Sequence, residues 1–187
     1  MERGPCILVF GVSGVGKTLS CQDYVARHPE WLHLRASTLL SEATGKTAEA
    51  LRKSSDQAIR DNQRLLSEAL DRARTGREAS PVLIDGHAVI DNDVDLVPVP
   101  LEAVAALRAD GFILLEVPVE TLAARRADAN RTRPLRSYAG LAREVRMERE
   151  TVRSYAALLD IPLASAQAND NFQLDALIDT LVKAPNG

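Results

Sequence analysis

Eight consecutive residues constrain this chain more than any other feature. Gly11-Val12-Ser13-Gly14-Val15-Gly16-Lys17-Thr18 meets G-x-x-x-x-G-K-[ST] at every fixed position. Before it stands Cys6-Ile7-Leu8-Val9-Phe10, an unbroken apolar run bounded by Pro5 and Gly11, which reads as a strand buried on both faces. After it, residues 17–27 carry a helical pattern. A glycine-rich turn between a buried strand and a helix lets several main-chain N–H groups converge where the helix also points its positive dipole end. A phosphate chain suits such a ring, and a purine nucleoside triphosphate is the expected ligand. Ser13, Gly14, Val15, Gly16, Lys17, Thr18 and Leu19 are therefore the expected nucleotide contacts. Lys17 is expected to bridge the β- and γ-phosphates and the Thr18 hydroxyl to take a Mg²⁺ position. The bland alternative is a tight turn with Lys17 a solvated helix residue.

The rest of the chain repeats the alternation. Further apolar runs at 81–84, 112–117 and, more weakly, 161–164 read as strands, and residues 32–34 add a fifth. Helical stretches lie between them at 17–27, 54–76, 101–108, 118–128, 138–159 and 173–183. Buried strands alternating with helices imply a three-layer α/β/α sandwich around a parallel, roughly five-stranded sheet with right-handed crossovers. With 187 residues, 45% of them apolar, and no Gly/Ser/Pro-rich linker, a single domain over 1–187 is expected. The stretch 91–100, with three aspartates and two prolines, reads as the longest loop. A net charge of −3 supplies no global attraction to nucleic acid or anionic membrane, so any anion site is local. Two cysteines without metal-ligand spacing point to neither a disulfide framework nor a structural metal, and the cytoplasm is the simple compartment.

Val82-Leu83-Ile84-Asp85 ends an apolar strand on a carboxylate, placing Asp85 at the carboxyl edge of the sheet, where it can hold Mg²⁺ together with Thr18. A strand-terminal Asp-Gly turn is the competing explanation. Gly86 and His87 follow where motor ATPases carry a water-activating glutamate, and no Asn-Lys-x-Asp segment occurs. Phosphoryl transfer to a second substrate is therefore favoured over a motor or a GTPase switch. His87 can orient that acceptor or neighbour the γ-phosphate, or be a satisfied structural histidine.

Nine arginines fall between Arg125 and Arg153, and Pro134 interrupts the helical pattern among them, so residues 126–137 read as a mobile cover. Arginines on such a cover can neutralise charge on a transferred phosphoryl group. Surface charge is the plain alternative, and in the helix that follows at most Arg149 has a catalytic part. Leu141, Val145, Val152, Tyr155 and Leu159 recur there at helical spacing and read as a core face. Residues 37–76 form the expected acceptor insert. Ser37 or Thr38 can cap a helix facing a second anion, Arg52 can grip a monophosphate in forked geometry, and Gln63 can read an adenine edge. A plain N-cap for Ser37 and Ser54, and a solvated Gln63, are the simpler assignments.

Taken together, the loop, Leu51-Arg52-Lys53 before a long helix, Asp85-Gly86-His87 and Arg125-Arg126-x-Asp128-x-x-Arg131-x-Arg133 before another helix resemble archaeal-type adenylate kinases and related bacterial P-loop nucleotide kinases. The resemblance runs from about residue 6 to residue 181. It implies ATP at residues 13–18, AMP near Arg52 and His87, a short helical lid carrying Arg126, Arg131 and Arg133, Mg²⁺, and reversible conversion of ATP and AMP into two ADP. A kinase of another small-molecule or polynucleotide hydroxyl, and an ATP-dependent interaction module, stay open beside it.

Overall fold

The computed structural model describes residues 3–128, 136–169 and 171–183. In chain order the elements are β1 (Cys6–Phe10), α1 (Lys17–Arg27), β2 (Leu32–Arg35), α2 (Ala36–Thr44), α3 (Ala48–Arg52), α4 (Asp56–Gln63), α5 (Leu66–Ala73) and β3 (Val82–Asp85). Then follow β4 (Val89–Asp91), β5 (Leu96–Pro98), α6 (Leu101–Ala105), β6 (Gly111–Glu116), α7 (Val119–Asp128), α8 (Tyr138–Leu159), β7 (Leu163–Gln167) and α9 (Asp175–Lys183).

The five expected strands form one sheet in the order β2-β3-β1-β6-β7, every pair parallel. β1 is central, and its side chains alternate between two cores. Cys6, Leu8 and Phe10 pack with residues of α2, α5 and α6, whereas Ile7 and Val9 pack with residues of α1, α7 and α9. Burial on both faces is why the run is uniformly apolar. The chain passes from β1 to β2 and β3 on one side and to β6 on the other, so a topological switch point opens at the carboxyl end of β1. Residues 11–18 leave the sheet there. The long helix α8 spans both cores, with Leu141 and Val145 in one and Val152 and Tyr155 in the other.

The structure departs from expectation in several places, and α2 and α3 lie where no helical stretch is expected. The helix expected over 54–76 is two helices, α4 and α5, because the N–H groups of Arg64 and Leu65 bond three residues back, to Asp61 and Asn62, and tighten the ladder into a corner. The expected loop at 91–100 holds an antiparallel hairpin, β4 with β5. Its tip is closed by turn chemistry: Asn92 Oδ1 accepts the N–H groups of Val94 and Asp95, and Asp91 Oδ1 that of Asp93. The caps also move. Ser55, not Ser54, caps α4 by accepting the Ala58 N–H, and α2 starts after Arg35 with no side-chain cap. Among the described residues no helix is long and apolar enough to cross a membrane.

Candidate active site

The loop after β1 owes its path to backbone that only glycine adopts without strain. Gly11 has φ +146°, and a Cβ there would stand 2.5 Å from the Leu115 carbonyl oxygen on β6. Gly16, at φ +107°, is the N-cap of α1 and supplies no side-chain oxygen to the first-turn N–H groups. An anion-binding helix start has this form. Lys17 is buried, and its Nζ donates to the Gly11 and Val12 carbonyls at 2.5 and 3.2 Å. Leu19, by contrast, is exposed on α1.

Opposite Lys17, Asp85 ends β3 and is buried. Its Oδ2 accepts a hydrogen bond from His33 Nε2 at 2.7 Å, and the Thr18 hydroxyl lies close enough to act on the same carboxylate. Burial works to raise the Asp85 pKa, but the His33 hydrogen bond and charge, Lys17 and the Thr18 hydroxyl together bring it below the ordinary carboxylate value. An ionised carboxylate beside a hydroxyl is a hard oxygen donor set and fits Mg²⁺. Cys21 Sγ lies within 4.8 Å of the Asp85 and His33 ligand atoms, but burial pushes its thiol pKa upward, so it stays protonated and a poor ligand.

Arg126 reaches the loop directly. Its Nε donates to the Ser13 carbonyl at 2.8 Å, and its two terminal nitrogens fork onto Glu144 of α8 at 2.8 and 2.7 Å. Arg126, expected on the lid, thus joins the loop to α8. Arg131 and Arg133 lie outside the described residues. Arg136, at the far end of the same expected cover, pairs with Asp91 of β4 through Nε at 3.1 Å and Nη2 at 2.5 Å. Arg149 pairs with Glu116 at 2.5 Å.

The acceptor side differs more from expectation. Arg52 already uses its fork on a carboxylate of its own chain: Nη2 donates to Asp93 Oδ2 at 3.1 Å, and Nη1 to Asp93 Oδ1 and, at 2.8 Å, to the Asp91 carbonyl. Asp93 adopts φ +77° to present that carboxylate. Gln63 is not solvated; it is buried at the end of α4. Ser37 and Thr38 sit within the first turn of α2 and cap nothing. His87 is half-buried in the turn between β3 and β4, two residues beyond Asp85.

A family profile described as AAA domain matches residues 10–141, well over half of the chain. The chain belongs to the AAA domain family. Among solved structures, this AAA domain is similar to "Shikimate kinase from Acinetobacter baumannii in complex with shikimate", with TM-score 0.66 and 18% identity over 98% of this chain and 96% of that one. It is also similar to the shikimate kinase from Bacteroides thetaiotaomicron, with TM-score 0.58 and 17% identity over 96% of this chain and 98% of that one. At these identities the likeness concerns the fold, that of a nucleotide-kinase-like P-loop protein. No curated protein matches the chain.

Sequence reasoning missed four residues that shape this site. His33 was passed over as part of a strand, yet it orients Asp85. Arg125 donates to the carbonyls of Val15 and Ala168 at 3.0 and 3.4 Å, bridging the loop to the segment after β7. Glu144 holds Arg126. Glu148, 1% exposed, accepts the N–H groups of Gly11, Ala88 and Val89. For the last a signal existed: Glu148 falls in register with the apolar stripe Leu141, Val145, Val152 and Tyr155, and a carboxylate on a core face asks for buried donors.

Proposed function

We propose that this AAA domain is a phosphotransferase that moves the γ-phosphoryl group of ATP to a small anionic acceptor. One observation carries the reading: at the sheet's switch point a helix start without a side-chain cap, a buried lysine and an ionised carboxylate–hydroxyl pair stand together. Gly14 to Leu19 would surround the phosphates and Ser13 would be set by Arg126. Lys17 would exchange its two loop carbonyls for phosphate oxygens. Thr18 and Asp85 would hold Mg²⁺, which when bound neutralises negative charge on the phosphate oxygens. In the transfer the bond from the γ-phosphorus to its bridging oxygen breaks as the bond to an acceptor oxygen forms, and ADP leaves.

The absence of a glutamate after Asp85 supports transfer over hydrolysis. For the acceptor, the first reading is AMP, with Arg52 on its phosphate after release from Asp93, His87 and Gln63 alongside, and residues 37–76 as the acceptor insert of a single domain. Ser37 and Thr38 complete that edge, and 126–137, with Arg131 and Arg133, is the cover. The likeness in fold to a shikimate-bound kinase favours a second reading, a small hydroxy acid, whose carboxylate would use the same fork of Arg52. Two buried free thiols, Cys6 and Cys21, support a reducing cytoplasm.

Acceptor profiling tests both. The protein is incubated with γ-labelled ATP, Mg²⁺ and, separately, AMP, other nucleoside monophosphates, shikimate, other hydroxy acids, sugars and 5′-hydroxyl oligonucleotides. Label transferred to an anionic small molecule supports the proposal. Nucleotide binding with no acceptor-stimulated turnover across the panel overturns it in favour of an ATP-dependent interaction module.

A further inference from the structure

We propose that Glu148 is a positioning residue that couples occupancy of the nucleotide loop to the β4–β5 hairpin, which borders the acceptor side. This inference rests on the phosphotransfer reading above. Glu148 lies at the middle of α8, between the half that packs in one core and the half that packs in the other. Its Oε1 accepts the N–H groups of Gly11 and Ala88, both at 3.0 Å, and its Oε2 that of Val89 at 2.8 Å. One buried carboxylate thus ties the entrance of the phosphate loop to Ala88 and to Val89, the first residue of β4.

The tie bears on Lys17. Gly11 gives its N–H to Glu148 and its carbonyl to Lys17 Nζ, so one glycine stands between the buried carboxyl group and the lysine. A nucleotide that recruits Lys17 relieves one side of Gly11 and leaves the other held. Packed side chains, hydrogen bonds and rigid helices carry coupling of this kind, and α8 supplies such an element. Besides Glu148, the helix grips the loop a second time through Glu144, Arg126 and the Ser13 carbonyl. It grips the hairpin region twice more: Arg136, just before its N-cap Ser137, pairs with Asp91, and the Tyr155 hydroxyl donates to the Val99 carbonyl. Val99 in turn donates its N–H to the Ala88 carbonyl at 2.8 Å. The hairpin tip carries Asp93, the carboxylate that holds Arg52. Glu148 therefore links the phosphate loop to the hairpin whose tip holds Arg52.

Amide hydrogen exchange on the full chain, with and without Mg-ADP, tests the coupling. In the wild type Mg-ADP is expected to slow exchange at residues 11–19 and, by about tenfold, at residues 88–91 as well. Glu148→Gln keeps the size and still offers one oxygen, but turns an NH₂ group against an N–H donor. In that variant calorimetry should still show Mg-ADP binding and residues 11–19 should still be protected, while nucleotide-dependent protection at 88–91 is lost. A purely structural role would change exchange equally with and without nucleotide. Protection at 88–91 that is missing in the wild type, or that survives Glu148→Gln, overturns the coupling. If that variant does not fold, Glu148→Asp, which keeps the charge but withdraws it by one methylene, must reduce the protection. A wild type that binds no Mg-ADP overturns the phosphotransfer reading itself, which is separable from binding without hairpin protection.

Discussion

Replacing Arg126 by methionine removes a guanidinium that serves two partners at once, the Ser13 carbonyl and the forked Glu144 carboxylate. The ion pair is nearly dry, with side-chain exposures of 14% and 7%, so water cannot take over the orphaned carboxylate. Breaking a buried pair from one side costs about 3–5 kcal/mol. At roughly 2–4 °C per kcal/mol for a chain of this size, Tm should fall by roughly 6–20 °C. The double variant R126M/E144L removes both charges and fills the space with apolar atoms, so most of that stability should return. Nucleotide binding should not return with it, because Ser13 has still lost its brace. Urea unfolding followed by circular dichroism measures the first quantity and Mg-ADP calorimetry the second. A loss under about 1 kcal/mol for Arg126→Met, the range of a solvent-screened pair, would refute the argument. So would a double variant no more stable than the single one.

Other outcomes follow from the same contacts. Lys17→Ala should fold normally yet lose label transfer by about a hundredfold or more, and turnover near the wild-type rate would remove Lys17 from its role. Gly11→Ala forces a side chain into φ +146° and against the Leu115 carbonyl; a loss of about 1–3 kcal/mol from the backbone alone is expected in thermal melts, and a melt unchanged from wild type contradicts it. The Arg27 hydrogen bond lowers the Asp175 pKa from 3.8 to about 2, against some burial. Because the folded value is the lower one, the stabilisation is present above the ordinary carboxylate pKa and is lost as pH falls through that window. Asp175→Asn should flatten the stability profile between pH 3.8 and about 2, and an unaltered slope there would count against the pairing of α1 with α9.

Much of the site could be read from the chain because its signals are local. An apolar run such as residues 6–10 tolerates only a doubly covered strand, and the glycines after it have few uses other than close backbone approach. Asp85 is legible because it terminates such a run. The long-range pairs are not legible in this way. His33 stands 52 residues from Asp85, and only the register of β2 on β3, which sets His33 beside Leu83, brings it to the face that Asp85 shares two residues on. Arg52 carries the chemistry of an anion grip whether its partner is a substrate or Asp93, and the separation of 41 positions hides which. Arg126 has the same composition signature as Arg131 and Arg133, yet its direction is set by α7 packing against α8, which no local pattern encodes.

The alternation of strands and helices, the sheet's five strands, the phosphate loop and the carboxylate that ends β3 are legible in the sequence alone. Each depends on neighbours within a few residues and on a hydrophobic period that a single segment already contains. The partner of each buried charge was decided by tertiary structure: Glu144 for Arg126, Asp93 for Arg52, His33 for Asp85, and three main-chain N–H groups for Glu148. A charge taken out of water must find compensation within a few ångströms. Which groups lie that close is a property of how helices and strands pack, not of any one stretch of chain.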